Sequence, residues 1–223
     1  MFLHWAVPPD ALRALVPAPF SLDLHEGTAY AGIVAFDSSG LRPAGVPERF
    51  GVDFLETNVR TYVRLMDGAP GVYFFSLDAS SRMAVPGGRR LFGLPYFHAW
   101  MRMTRSGNEV TYRMRRSSRR GAMLRVRYQI DGPAEATRPG GLPHFLIERY
   151  RFFVRRGPVT QAILVRHPPY SVHPARVLEL DESLLAAAGV PAPAGEPLAH
   201  FSPGVEVDLL APTFRRHERP HRG

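Results

Sequence analysis

From Leu55 to Leu65 the chain alternates without a break, with Leu55, Thr57, Val59, Thr61, Val63 and Leu65 in one register and Glu56, Asn58, Arg60, Tyr62 and Arg64 in the other. A period of two belongs to a β-strand, whose successive side chains point to opposite faces. Such a strand needs partners on its edges and a packed layer under its apolar face, so it commits the chain to a sheet. The polar face has two possible surroundings. Facing solvent, it is an ordinary exterior with cross-strand ion pairs of small value. Inside a curled sheet it lines a cavity, and a buried glutamate near an arginine becomes a candidate for function.

The remaining patterns are mostly strands as well. Pro8-Pro9-Asp10 followed by Ala11, Leu12, Leu15 and Val16 predicts a short amphipathic helix stopped by Pro17 and Pro19. Residues 20–24 and 28–36 predict a hairpin, and its second arm, apolar on both faces, predicts a central strand. Residues 42–50 predict a loop. The turn at Asp67-Gly68 returns the chain as a partner strand over 71–79, and 80–93 is ambiguous between helix and loop. Further strands are predicted at 96–104, 109–116, 121–130, 149–155 and 159–166, with a helical turn at 143–148 and a better helix at 181–188. Connections this short exclude repeated βαβ crossovers, which leaves an antiparallel-dominated sheet or barrel of about ten strands with two or three short helices.

The 223 residues, 45% of them hydrophobic, suit one domain spanning 1–214, followed by a flexible basic tail at 215–223. Cysteine is absent, which removes disulfides and thiolate chemistry together. No apolar run approaches the roughly 20 residues of a membrane span, and the start lacks the basic flank of a signal peptide. A soluble, cytoplasmic protein without membrane contact is the expectation. Nothing in the residues sets an oligomeric state.

The net charge of +8 rests on 28 basic residues that are all arginine; there is no lysine. Arginines spread through most strands are not the dense footprint of a nucleic-acid binder, so nucleic acid is a disfavoured partner. The pairs Arg113/Arg115 and Arg125/Arg127 share one face of a predicted hairpin, where like charges call for water or an anion.

Common catalytic signatures are missing: no G-x-S-x-G elbow, no phosphate loop, no G-x-G-x-x-G between strand and helix. His217-Glu218-Arg219-Pro220-His221 spells H-E-x-x-H, but Pro220 breaks the helix that such a zinc site requires and no third ligand follows. No metal and no cofactor are expected.

Several blocks, taken in order along nearly the whole chain, resemble the uncharacterised YqjF-like proteins of the acetoacetate decarboxylase-like superfamily: HWAVPPDALRALVP, LETNVRTYVR with GVYFFSLDA, RRLFGLPY, FLIERYRFF, VRHPPYSVHPARV and HFSPGVEVDLL. The resemblance implies a cone-like β-barrel with a central cavity. Family members usually carry residues ahead of the His4-Trp5 block, so a start shortened by one strand is expected from it. In the decarboxylases a glutamate on the comparable strand faces the active-site cavity, and Glu56 looks like its counterpart. Their glycine, arginine, glycine, proline and lysine motif is similar to Gly88-Arg89 and Gly93-Leu94-Pro95-Tyr96, with Tyr96 at the lysine position. A phenol forms no imine, so the family's Schiff-base route is closed, and Tyr96 is left as a hydrogen-bond donor, a general acid or a packing residue.

In the Glu148-Arg149-Tyr150 block, alternation puts Glu148 and Tyr150 together on one side or Arg149 alone there. His167, ahead of Pro168-Pro169, is either a ligand contact or a satisfied buried histidine. The candidate cavity residues are therefore Glu56, Asn58, Arg60, Tyr62, Tyr96, Glu148 and His167. The leading reading is a binder of a small anionic or carbonyl-bearing metabolite. The alternatives are a lysine-independent acid/base enzyme acting on a carbonyl compound, and an arginine-rich nucleic-acid binder.

Overall fold

A computed structural model describes residues 1–42, 46–118 and 121–216. Its strands are β1 (Phe2–Val7), β2 (Ser21–Leu22), β3 (Ala29–Leu41), β4 (Val52–Arg64), β5 (Pro70–Ala79), β6 (Tyr96–Ser106), β7 (Glu109–Arg116) and β8 (Met123–Ile130), then β9 (Glu135–Ala136), β10 (Arg151–Arg156), β11 (Val159–Arg166), β12 (Ser171–Glu182), β13 (Leu198–Phe201), β14 (Asp208–Leu209) and β15 (Thr213–Arg216). Four short α-helices interrupt them: α1 (Pro9–Leu15), α2 (Ala84–Gly87), α3 (Leu142–Ile147) and α4 (Leu184–Ala187).

Nine strands close a ring in the order β5, β6, β7, β8, β12, β13, β1, β3, β4 and back to β5. Strand direction cannot alternate all the way round an odd ring, so one neighbouring pair must be parallel; here it is β5 with β6. A parallel pair needs a crossover of a dozen or more residues. Residues 80–95 are that crossover, which explains the mixed signal there: α2 runs directly into a turn of π-helix at Gly88–Phe92, ended by Gly93 at φ 69°.

Apolar side chains fill the ring. Leu3, Trp5, Ile33, Val59, Tyr112, Leu124, Val126 and Tyr128 form one apolar cluster inside it, with Leu12 of α1 and Leu184 and Leu185 of α4 packed into the same cluster. Fully burying a side chain of this size stabilises the fold by roughly 1.5–3 kcal/mol. The apolar register of β4 looks into this interior, where the Thr57 hydroxyl lies 2.8 Å from the Tyr112 hydroxyl.

The polar register of β4 therefore faces outward from the ring, yet Glu56 through Val63 are all buried. A second layer covers them. It contains α3 and the β10–β11 hairpin, whose Leu146, Ile147, Phe152 and Ile163 join Phe2, Tyr30, Val34 and Tyr62 in a second core. β10 docks parallel to the first half of β5, through Phe152 opposite Val72.

Several sequence expectations need correction. Residues 20–24 do not form a hairpin with 28–36: β3 already has β1 and β4 on its two edges, so Ser21 and Leu22 pair instead with Arg64 and Val63 of β4. Asp181 and Glu182 belong to β12, opposite Arg125 and Leu124, and helix is confined to α4, whose first amides are capped by the Glu182 carboxylate at 2.7 and 3.0 Å. Three ring strands, β1, β12 and β13, carry no strand prediction. Arg215 and Arg216, assigned to the tail, pair with Thr160 and Val159. Residues 217–223, with the H-E-x-x-H sequence, lie outside the described residues. Among the described residues no helix is long and apolar enough to cross a membrane.

Candidate functional site

The covered face of β4 carries Glu56, Asn58, Arg60 and Tyr62 in a row, and the register brings the other candidates to it. Glu56 is opposite Ala79 of β5, and two residues back on the same face Leu77 is opposite Tyr96 of β6. The Tyr96 hydroxyl consequently reaches across β5 and donates to Glu56 Oε2 at 2.7 Å. Asn58 hydrogen-bonds the same carboxyl. Burial is the main reason that the Glu56 pKa is pushed up to about 7, with the nearby Asp78 adding to the rise while the bonds from Tyr96 and Asn58 oppose it. Burial and the Glu56 charge hold the Tyr96 phenol well above its ordinary range, so it stays protonated.

Beside this pair, Asp78 shows the usual way to bury a carboxylate. It is held by two hydrogen bonds from Arg116, from Nε at 2.7 Å and from Nη2 at 3.0 Å. Glu56 has no such cation among the described residues.

Arg60 and Tyr62 sit further along the same face. The Arg60 Nη2 and the Tyr62 hydroxyl both donate to the Leu146 carbonyl, at 3.0 and 2.7 Å, which ties α3 down over the strand. A carbonyl this close to the end of α3 lacks an intrahelical partner, so both bonds are well used. Arg60 is about 13 Å along the strand from Glu56, and it contacts Leu146, Phe2 and Tyr62.

Glu148 and His167 form a third group. Glu148 accepts from the Tyr150 hydroxyl at 2.6 Å and the Tyr170 amide at 2.8 Å. Glu148 and Tyr150 thus share a side, and Arg149 turns away to Asp23 at 2.8 Å. The His167 ring lies between Tyr150 and Tyr170, with centroids 4.4 and 4.7 Å away. Its Nδ1 lies 2.8 Å from the Pro168 carbonyl, which makes Nδ1–H the donor there, and its Nε2 is buried without a partner. Tyr170 meets Phe2 edge-on at 5.6 Å, joining this group to Arg60.

All seven candidates therefore lie in or beside the second core, outside the filled ring. A crevice of about 180 Å³ opens nearby, where β5 parts from β10 to meet β6, between Phe74, Leu94 and Val154. His4, Tyr170 and Thr137 also belong to this region and carry no sequence prediction. Their positions depend on β1, on the segment after β11 and on the segment between β9 and α3, none of which has a strong local pattern.

The arginine hairpin is satisfied differently. Arg113 faces Arg125 across β7 and β8, but Arg127 is bridged to Glu109 and Glu179 at 3.2 and 2.8 Å, and Arg125 lies 3.6 Å from Glu179. Glu179 of β12 and Glu109 of β7 supply part of the counter-charge expected from water or an anion. Among the described residues no cluster of histidine and carboxylate side chains is arranged to hold a metal ion.

Residues 1–206 match the DUF2071 family model, described as an uncharacterized conserved protein. The uncharacterized protein YqjF of Bacillus subtilis (strain 168) is 34% identical over 209 residues, covering 93% of this chain and 86% of the relative. Among solved structures, the enduracididine biosynthesis enzyme MppR with HEPES bound is similar at a TM-score of 0.64 with 14% identity, covering 96% of this chain and 84% of that one. The same enzyme has also been solved with pyruvate, at a TM-score of 0.59. The acetoacetate decarboxylase of Legionella pneumophila is similar at 0.55 with 17% identity over 95% of this chain and 84% of that one.

Proposed function

The chain belongs to the DUF2071 family of uncharacterized conserved proteins and has an acetoacetate decarboxylase-like fold, and from that premise we propose that it binds a small carbonyl-bearing metabolite on the covered face of β4 and exchanges a proton with it through Glu56. The observation that carries this reading is the Glu56–Tyr96 pair: a buried carboxyl with a pKa of about 7, bonded to a phenol that stays protonated. A group that is half protonated near neutral pH takes up and returns a proton with equal ease, which is the property of a general acid–base. The fold relative solved with pyruvate is a protein of this architecture with a small oxo acid bound.

The decarboxylase route through an amine has no lysine to use in this chain. Tyr96, at the position that resembles the Schiff-base lysine, keeps Glu56 oriented and partly ionised. The chemistry that remains is proton abstraction next to a carbonyl, or protonation of the resulting enolate, with Glu56 as the group that gains or loses the proton.

The test is exchange of α-protons in D2O, followed by proton NMR, over a panel of small ketones and oxo acids that begins with pyruvate and acetone. At least one should exchange faster than in buffer, and Glu56→Gln should lose roughly 10²-fold or more of that rate. Exchange at the buffer rate across the panel, or full activity in Glu56→Gln, overturns the reading.

A further inference from the structure

Buried polar atoms without partners gather along the other half of the covered face. Both ring nitrogens of His4, the Arg60 Nε and the Asn58 Oδ1 are buried and make no hydrogen bond; the three residues are 0%, 8% and 3% exposed. Such atoms are rare in folded proteins, because each forfeits its hydration without compensation. Four of them on neighbouring residues call for a common explanation.

The register places them together. His4 of β1 is opposite Gly32 of β3, and Gly32 is opposite Arg60 of β4; one rung along, Phe2, Val34 and Asn58 repeat the pattern. Gly32 is what lets the imidazole lie over β3: a Cβ there would come within 2.7 Å of His4 Cδ2. Burial, then the charge of Arg60, depresses the His4 pKa well below its ordinary value, so the ring is neutral and offers one N–H donor and one acceptor. Arg60 has no ion pair among the described residues, whereas Arg149, buried in the same layer, has Asp23. A buried guanidinium without an anion is the costlier arrangement. Asn58 uses its amide on Glu56, which leaves Oδ1 free to accept.

We propose that His4, Arg60 and Asn58 form a subsite for a small hydroxy acid. The Arg60 Nε–H and one His4 N–H donate to its carboxylate, and Asn58 Oδ1 accepts from its hydroxyl. The subsite rests on reading the covered β4 face as a ligand site, and it makes the metabolite of that site an organic anion with a hydrogen-bond donor between its carboxylate and the end held at Glu56.

Calorimetric titration of the full chain with glycolate, acetate and acetamide tests it. Glycolate should bind most tightly, acetate several-fold more weakly, and acetamide not detectably. Arg60→Met should weaken glycolate by about tenfold or more, the loss expected for a charge-assisted hydrogen bond. Should that variant not fold, nitrogen-15 NMR of the imidazoles in the unsubstituted protein reads the same contact: the His4 ring signals, assigned by their loss in His4→Gln, should shift on glycolate saturation. Equal binding of acetate and acetamide, or unmoved His4 signals, overturns the carboxylate subsite; equal binding of acetate and glycolate overturns the role of Asn58. Proton exchange reports on Glu56 and these titrations on Arg60 and His4, so either proposal can fail while the other stands.

Discussion

Asp23 and Glu56 are carboxylates buried at opposite ends of the same covered face, and the protein treats them in opposite ways. Asp23 is 3% exposed and receives two guanidinium groups, Arg64 and Arg149, each at 2.8 Å. Glu56 is 6% exposed and receives only neutral donors, from Tyr96 and Asn58. Strong pairing with a cation stabilises a buried negative charge and locks it; neutral donors orient the group but leave its proton in play. Arg60 is the mirror case, a buried cation with rings and a carbonyl for neighbours. The contrast separates a carboxylate locked by cations from a carboxylate and a cation buried without a charged partner among the described residues.

The contrast breaks most visibly at Asp23. Asp23→Asn leaves Arg149 buried without its anion and should cost about 3 kcal/mol or more of stability, read from urea unfolding at neutral pH. A cost below about 1 kcal/mol would mean that the pair holds nothing together.

Glu56→Gln should act in the opposite direction and only at higher pH. The folded pKa is raised, from 4.5 to about 7. The native state therefore holds a proton that the unfolded state releases, and stability falls as pH rises through that window, by about 3 kcal/mol at most. The amide carries no such penalty. Unfolding midpoints of the variant and the parent should agree near pH 4.5 and diverge in favour of the variant by pH 8; curves parallel over that range would place Glu56 in a wetter site.

Tyr96→Phe removes a donor to the ionised carboxylate, so the Glu56 midpoint, followed by carbon-13 NMR of the side-chain carboxyl, should rise above about 7. Stability should fall by about 1 kcal/mol at pH 8 and less at pH 5. The smallest effect belongs to the exposed surface: Arg127→Gln breaks two bridges on the outer face of β8 and should leave the melting temperature in low salt nearly unchanged.

Local pattern made much of this fold legible. The alternation at Leu55–Leu65, the turn at Asp67-Gly68 and the strands β5 to β8 and β11 follow directly from periodicity and turn residues. β12 and β13 were illegible for identifiable reasons. β12 contains Pro174, which withholds a ladder hydrogen bond and argues against a strand, and β13 is only four residues long. β1 is apolar on both faces and runs into Pro8-Pro9, so its period is hidden. His4 was invisible as a site residue because the strand that aims it was invisible.

What the sequence alone determined is chemical. Without lysine there is no side-chain amine for an imine, and with Glu56 and Tyr62 in one register of a strand they share a face, whatever covers it. Only the tertiary structure decided that this face is buried and that it lies outside the ring. Closing the ring and laying α3 and β10 over β4 are contacts between residues far apart in the chain, and burial, which moves the Glu56 pKa to about 7, is a property of those contacts.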